Sequence, residues 1–342
     1  MNRRTSRLLG YGVGLLLALV LPRLVYPVLA LDILLWGLFA IAVDLLLGFV
    51  GLLSFGHAMF WGLGGYAAGY LAKTIALDYP FAALIGAGAA ALLAVPTGYL
   101  AIRRTGIYFA MVTLAFAQML FYLVNEARPI TGGENGLQGI SRTLLGTNLN
   151  DATTFYYAAL PLVLFGYWLA YRIVHSPFGH VLVAIRDNEA RAQSLGYPTG
   201  RYKLLAFVLS AFLAGLGGGL YSLGHGFAAL ELVHWSTSGT AVVMTILGGI
   251  GTLWGSIIGA AIFLLLRDSL STLTDASGVV TGTIFIVVVL GFRRGIWGSL
   301  LHALPGRREA GALAPAVQST EATNGATPAA AAPQEGRLET KV

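Results

Sequence analysis

Few residues in this 342-residue chain combine a reactive side chain with an apolar setting. Asp32, Asp44, His57 and Asp268 are the ionisable groups that fall inside long apolar runs. Such groups are costly in lipid and normally face a helix-bundle interior or water. Asp44 lies mid-run and is the best candidate for an internal polar partner. Asp32 and Asp268 lie near run ends, where interfacial solvation accounts for them. His57 follows Ser54-Phe55-Gly56 at a turn-like stretch, and both a structural hydrogen bond and contact with a substrate are open. No series of acids crosses the membrane, which argues against a proton relay. The chain has no G-x-x-x-x-G-K-[ST] phosphate loop, no H-E-x-x-H and no G-x-S-x-G. Its only lysines are Lys73, Lys203 and Lys341, and it has no cysteine. No catalytic, cofactor-binding or metal-ligating set is therefore expected. If ATP drives any process here, another chain hydrolyses it.

The other cluster with chemical character is polar: Arg186-Asp187-Asn188-Glu189-Ala190-Arg191, within a connection near 175–203. Ser176-Pro177 makes a plausible helix start. Val181, Ile185, Ala192 and Leu195 share one face by three-, four- and seven-residue spacing. Asp187 and Glu189 are expected to face outward. Gly196 followed by Pro198 is a stop signal. The spacing predicts one short amphipathic helix over 176–197. It suits either the lipid headgroups or a protein partner, and its mixed rather than basic charge favours a protein.

These groups must be positioned by membrane-spanning elements. The chain is 56% hydrophobic and only 11% charged, against about 25% charged in a typical soluble domain. That argues against a soluble globular enzyme. Apolar runs of about 20 residues suit a bilayer crossing. They predict an all-α polytopic membrane protein of about ten spans, near 8–27, 30–50, 57–76, 80–101, 107–125, 154–174, 204–224, 237–251, 254–272 and 278–292. The eighth and tenth are short, and 237–272 is open to reading as one broken unit. The first run reads as an uncleaved span because no small-residue cleavage site follows it. With a cytoplasmic N-terminus, alternation puts 12 Lys/Arg in cytoplasmic connections and 5 on the opposite side. This matches the positive-inside rule, puts the C-terminus in the cytoplasm as well, and ties the net charge of +6 to orientation rather than to nucleic acid.

Glycines cluster at Gly48–Gly65, Gly215–Gly219 and Gly248–Gly259. Small residues allow close helix approach and broken helices. The first and third clusters look alike and lie in corresponding places of two five-span halves, compatible with an internal repeat. Residues 1–304 are expected to form the membrane domain. Residues 305–342, rich in Ala, Pro, Thr and Glu, are expected to be a disordered tail.

Several separate stretches, in the right order over about 30–295, resemble the LivM-type permeases of branched-chain amino acid ABC importers. They are Gly51-Leu-Leu-Ser-Phe-Gly56-His57, Thr105-Gly106-Ile-Tyr108 through Thr113 to Gln118, and Thr131-Gly-Gly133 with Asn135-Gly-Leu137. Ser176-Pro-Phe-Gly179 through Ala184-Ile-Arg186-Asp-Asn-Glu189-Ala-Arg191 to Leu195-Gly-Tyr197 follows, then Lys203-Leu-Leu-Ala-Phe207 and Leu247-Gly-Gly-Ile-Gly-Thr252-Leu-Trp-Gly255. The resemblance implies an inner-membrane permease paired with a LivH-like second permease, two cytosolic ABC ATPases and a periplasmic amino-acid-binding protein. It implies that Arg186, Asp187, Glu189, Ala190, Arg191 and Gly196 belong to an ATPase-coupling element. Asp44, Ser54, His57, Tyr108, Thr113 and Gln118 become candidates for the translocation path. Urea and short-chain amide permeases share much of this pattern. A stand-alone secondary transporter or channel is the alternative of a different class.

Overall fold

The computed structural model of the chain describes residues 3–271, 282–283 and 295–296. Helices α1 (Arg3–Leu24), α2 (Pro27–Leu47), α3 (His57–Thr74), α4 (Tyr79–Ala101) and α5 (Gly106–Glu126) lead to a one-turn α6 (Arg128–Thr131). Then come α7 (Ala152–Val174), α8 (Pro177–Asp187), α9 (Glu189–Ser194), α10 (Thr199–His225), α11 (Trp235–Gly248) and α12 (Leu253–Ser271). Four two-residue strands decorate the connections. β1 (Leu137–Gln138) pairs antiparallel with β4 (Phe227–Ala228), and β2 (Thr143–Leu144) with β3 (Thr147–Asn148).

Six of these helices are long and apolar enough to cross a membrane: α2, α4, α5, α7, α10 and α12. The expected number was about ten. Helices do form at the other expected runs within the described residues, but they fall short for physical reasons. α3 carries Gly62, Gly64, Gly65, Gly69 and Lys73, which lower its hydropathy. α11 has 14 residues, about 21 Å of helix against a hydrocarbon core of about 30 Å. The apolar part of α1 is the short stretch Gly14–Leu24. The expected span at 278–292, apart from 282–283, and the expected tail at 305–342 lie outside the described residues.

The core is built around α10, which packs on α3, α4 and α2. Glycine makes this approach close enough. A Cβ on Gly64 would strike the Gly215 carbonyl, and one on Gly218 would strike the Trp61 carbonyl. Around these backbone contacts Trp61 stacks near Phe39, with centroids 4.6 Å apart, and near Trp36 and Tyr221, each at 5.5 Å. The glycine cluster 215–219 thus serves tight packing.

Two features depart from a simple bundle. Residues 48–56 leave the helical path, yet most of them stay buried. Irregular backbone within a membrane protein is stable where protein covers it. The turn Gly249–Thr252 separates α11 from α12, so these are two helices rather than one broken unit. At the far end of the chain's long 126–153 connection, Asp151 caps α7. Its carboxylate accepts from the Thr154 N–H at 2.8 Å and the Thr154 hydroxyl at 2.9 Å. These bonds favour the ionised form and hold the Asp151 carboxyl below the usual range.

Candidate functional site

The polar connection between α7 and α10 is two helices where one was expected. Ser176 caps α8, accepting from the Gly179 N–H. The break falls at Asn188, whose backbone is extended and whose side chain accepts from the Arg191 N–H at 2.9 Å, starting α9 as its N-cap. Asparagine competes with the helix in this way, and that is why the periodic pattern across 181–195 did not produce one continuous rod. α9 then closes by a paired motif. The Gly196 N–H donates to the Gln193 carbonyl and the Tyr197 N–H to the Ala192 carbonyl. Gly196 takes the left-handed φ of +89° that this closure requires.

The break changes which side chains face inward. Leu182, Ile185 and Ala192 are buried, whereas Leu195 is 72% exposed, so it leaves the face the spacing assigned to it. Asp187 does point outward, with its side chain 58% exposed. Glu189 does not. Its Oε1 lies 2.5 Å from Lys203 Nζ and accepts from the Thr199 hydroxyl at 3.1 Å, both on α10. Lys203 is only 4% exposed, so a buried cation is matched by a carboxylate, as burial demands. Gln193 completes the group by donating to Thr199 at 3.0 Å. Ala190 and Arg191 are exposed on α9.

Arg186 also turns inward. Its Nη1 donates to the Gly48 carbonyl at 2.5 Å, while Nε and Nη2 donate to Asp187 Oδ1 at 3.2 and 3.0 Å. Gly48 ends α2, and the guanidinium satisfies one of the carbonyls that a helix end leaves unpaired. Close by, the buried Asp44 accepts from the Gly251 N–H at 2.8 Å through Oδ1. Its Oδ2 has no hydrogen-bond partner among the described residues.

The remaining candidates gather elsewhere. His57 begins α3 inside the bundle, fully buried, with Nε2 2.8 Å from the Ser210 hydroxyl near the middle of α10. Ser210 donates its single proton to the Ala42 carbonyl on α2. Nε2 must therefore carry the proton in the His57–Ser210 bond, and Nδ1 is buried without a partner among the described residues. Ser54 accepts from the Gly56 N–H at 3.2 Å. Thr113 donates to the Ala110 carbonyl, and its backbone lies against Gly56. Ser54, His57 and Thr113 are thus brought together at the start of α3. The start of α11 joins them, because Ser238 Oγ accepts from the Ala58 N–H at 2.7 Å. Tyr108 stands apart on α5, 67% exposed. Gln118, also on α5, is half-buried, with its carbonyl oxygen unpartnered among the described residues. Sequence reasoning missed Ser210, Ser238 and Thr199, and read Lys203 as a connection cation. Ser210 and Ser238 pair with residues 153 and 180 positions away, and Thr199 and Lys203 pair with Glu189 across the Gly196–Pro198 break, so no helical spacing marks any of them. Among the described residues no group of His, Asp and Glu could hold a metal.

The family described as branched-chain amino acid transport system / permease component matches residues 28–289. The chain is 28% identical over 284 residues to the high-affinity branched-chain amino acid transport system permease protein LivM of Salmonella typhimurium and, equally, to that of Escherichia coli. Each match covers 75% of this chain and 66% of the relative, so the chain spans just under two thirds of those proteins. It is 24% identical over 287 residues to LivH of Escherichia coli, covering 77% of this chain and 91% of that protein. No solved structure matches it.

Proposed function

This chain belongs to the branched-chain amino acid transport permease family, and from that premise we propose that it is the transmembrane permease subunit of an ATP-driven importer of branched-chain or other hydrophobic amino acids. The observation that carries this reading is the extent of the family match, residues 28–289, which takes in the apolar helices and the α8–α9 connection alike. The chain sits in the bacterial inner membrane with both termini in the cytoplasm. Residues 1–304 make the permease domain, in which α1, α3 and α11 join the six long apolar helices as shorter or less apolar membrane elements, in two related halves. A LivH-like second permease completes the translocation path, two cytosolic ABC ATPases hydrolyse ATP, and a periplasmic binding protein delivers substrate. This chain itself supplies no catalytic group.

The α8–α9 connection is the ATPase-coupling element. Its exposed residues Asp187, Ala190, Arg191 and Gly196 meet the ATPase. Glu189 serves from within, because its pairing with Lys203 and Thr199 ties α9 to α10. Movement of α9 is thereby passed to the helix at the centre of the core. Ser54, His57, Thr113 and Gln118 line or gate the path together with Asp44, and Tyr108 lies on the face of α5 turned to the second permease.

The reading is tested by affinity purification of the tagged chain in mild detergent from cells expressing its neighbouring genes. A second permease and two ATPases should accompany it. A chain that purifies alone and still transports would instead be a secondary transporter or channel. Binding of leucine rather than urea by the adjacent binding protein separates the amino-acid reading from the amide reading. Replacing Glu189 by Gln should lower uptake while ATP hydrolysis continues.

A further inference from the structure

The carbonyl of Gly48 and the N–H of Gly251 belong to two glycine turns that touch each other at one end of the bundle. The first, Gly48–Gly51, ends α2. The second, Gly249–Thr252, separates α11 from α12. They meet so closely that a Cβ on Gly48 would strike both the Gly251 backbone nitrogen and Asp44 Oδ1. Asp44 reaches from α2 to hold the Gly251 N–H. A side chain from α8 enters this junction. Arg186 of α8 lays its stem over Gly51, where a Cβ would come 2.9 Å from Arg186 Cγ, and donates to the Gly48 carbonyl. Gly51 takes a φ of +80° and Gly251 a φ of +77°, backbone that a residue with a side chain adopts only under strain.

We propose that Arg186 is a positioning residue that links the coupling connection to the membrane helices, by clipping α8 to the paired glycine turns at the ends of α2 and α11. The proposal rests on the permease reading above and assigns Arg186 a role other than docking. A helix that merely lies on a bundle transmits sliding poorly. A guanidinium fixed on one side to an exposed acid of its own helix and on the other to a helix-end carbonyl transmits both push and pull. The bond to Gly48 is charge-assisted, short and only 14% exposed at the arginine side chain, so it is stronger than a surface pair. Among the described residues, Arg186 is the side chain of α8 or α9 that hydrogen-bonds to α2. Glycine at 48, 51 and 251 lets the two turns lie in contact and take angles a side chain would strain, so a pull on one turn reaches the other. Beside the clip, Leu45, Phe49 and Ile173 form a small apolar cluster with Phe178, Val183 and Leu253. That cluster is the rival route for the same movement, and it is left intact when Arg186 is replaced.

The experiment compares Arg186→Met, which keeps the apolar stem, and Arg186→Lys with the wild type in the assembled importer, reconstituted in liposomes with radiolabelled leucine. In Arg186→Met the ATPases should stay bound and ATP should still be hydrolysed, while leucine taken up per ATP falls about tenfold. Arg186→Lys should restore part of it. Loss of the ATPases from the purified complex would make Arg186 a docking residue and overturn the proposal. Unchanged uptake per ATP would overturn it as well, in favour of the apolar cluster. A second reading uses this chain alone in detergent. Hydrogen exchange of peptides containing 49–52 and 250–252 should quicken several-fold in Arg186→Met, with peptides from α10 unchanged. Equal exchange at both turns would refute the link. Should the methionine variant not yield folded protein, Arg186→Lys decides by the same readings. If the wild-type assembly takes up no branched-chain amino acid, the permease reading fails, while exchange still tests the clip by itself.

Discussion

Helices α2 and α5 are each 21 residues long and each apolar enough to cross a membrane, yet they occupy opposite kinds of place. Within its most apolar stretch α2 is 89% buried, whereas α5 is 28% buried. α2 is covered by α10, α12, α7 and α11, and its Leu35, Leu38, Phe39 and Ala40 have no exposed surface. α5 turns Tyr108, Met111, Met119 and Tyr122 outward, each at least half exposed, along one face. The pair teaches that apolarity in such a chain does not distinguish core from periphery. Lipid is as apolar as a neighbouring leucine, so both faces of a spanning helix carry the same residue types. What differs is that polar side chains of other helices reach the α2 backbone: Tyr167 donates to the Leu34 carbonyl, Thr245 to Ala40 and Ser210 to Ala42.

The comparison can be broken from either side. The largest effect is expected at the core. Gly218→Leu would drive a side chain into the Trp61 carbonyl, costing more than about 3 kcal/mol, and should abolish monodisperse protein on size-exclusion chromatography. A next, smaller effect is expected where α2, α3 and α10 share a polar bond. Ser210→Ala strands His57 Nε2 and removes the donor to Ala42. It should destabilise the chain by about 1–3 kcal/mol, read as a lower thermal midpoint in detergent.

On α5 the opposite holds. Met119→Trp alters the exposed face without placing a charge in lipid, so the isolated chain should keep its thermal midpoint in detergent, within about 0.5 kcal/mol in stability. Its association with the proposed second permease should weaken, as read by co-purification. A fall in the midpoint of the isolated chain would show that α5 is core after all. The smallest effect is at the cap of α7. The Asp151 carboxyl is held below its usual range, so it stabilises the fold above the ordinary carboxylate pKa. That contribution is lost as pH falls through the lowered value. Between about pH 5 and pH 3 the wild-type midpoint should drop slightly more than that of Asp151→Ala.

The sequence carried the positions of most helices plainly, because length and apolarity set them. It also carried the cap at Ser176, the closure at Gly196 and the close packing of Gly215–Gly219. It misjudged the α8–α9 break because Asn188 reads as a polar residue on a helix face and acts as a cap. It misjudged Glu189 because Lys203, its partner, lies beyond the Pro198 stop signal, where no helical spacing relates the two. Leu195 followed the same error, since its assigned face existed only in an unbroken helix. Asp44 was legible as a group needing an internal partner, but the partner, a glycine N–H some two hundred residues away, was not. The family was legible in the order of the motifs over about 30–295, and the family match spans residues 28–289.

The proposed function requires this chain to move branched-chain amino acids only as part of an ATP-driven assembly. Liposomes holding the chain, its second permease and the ATPases, loaded inside with binding protein and leucine so that outward-reading sites face the lumen, test it most directly. Addition of ATP outside should export leucine from the lumen to the ATPase side, with vanadate stopping it. Leucine movement that proceeds at the same rate without ATP, or with the ATPases omitted, would contradict the account.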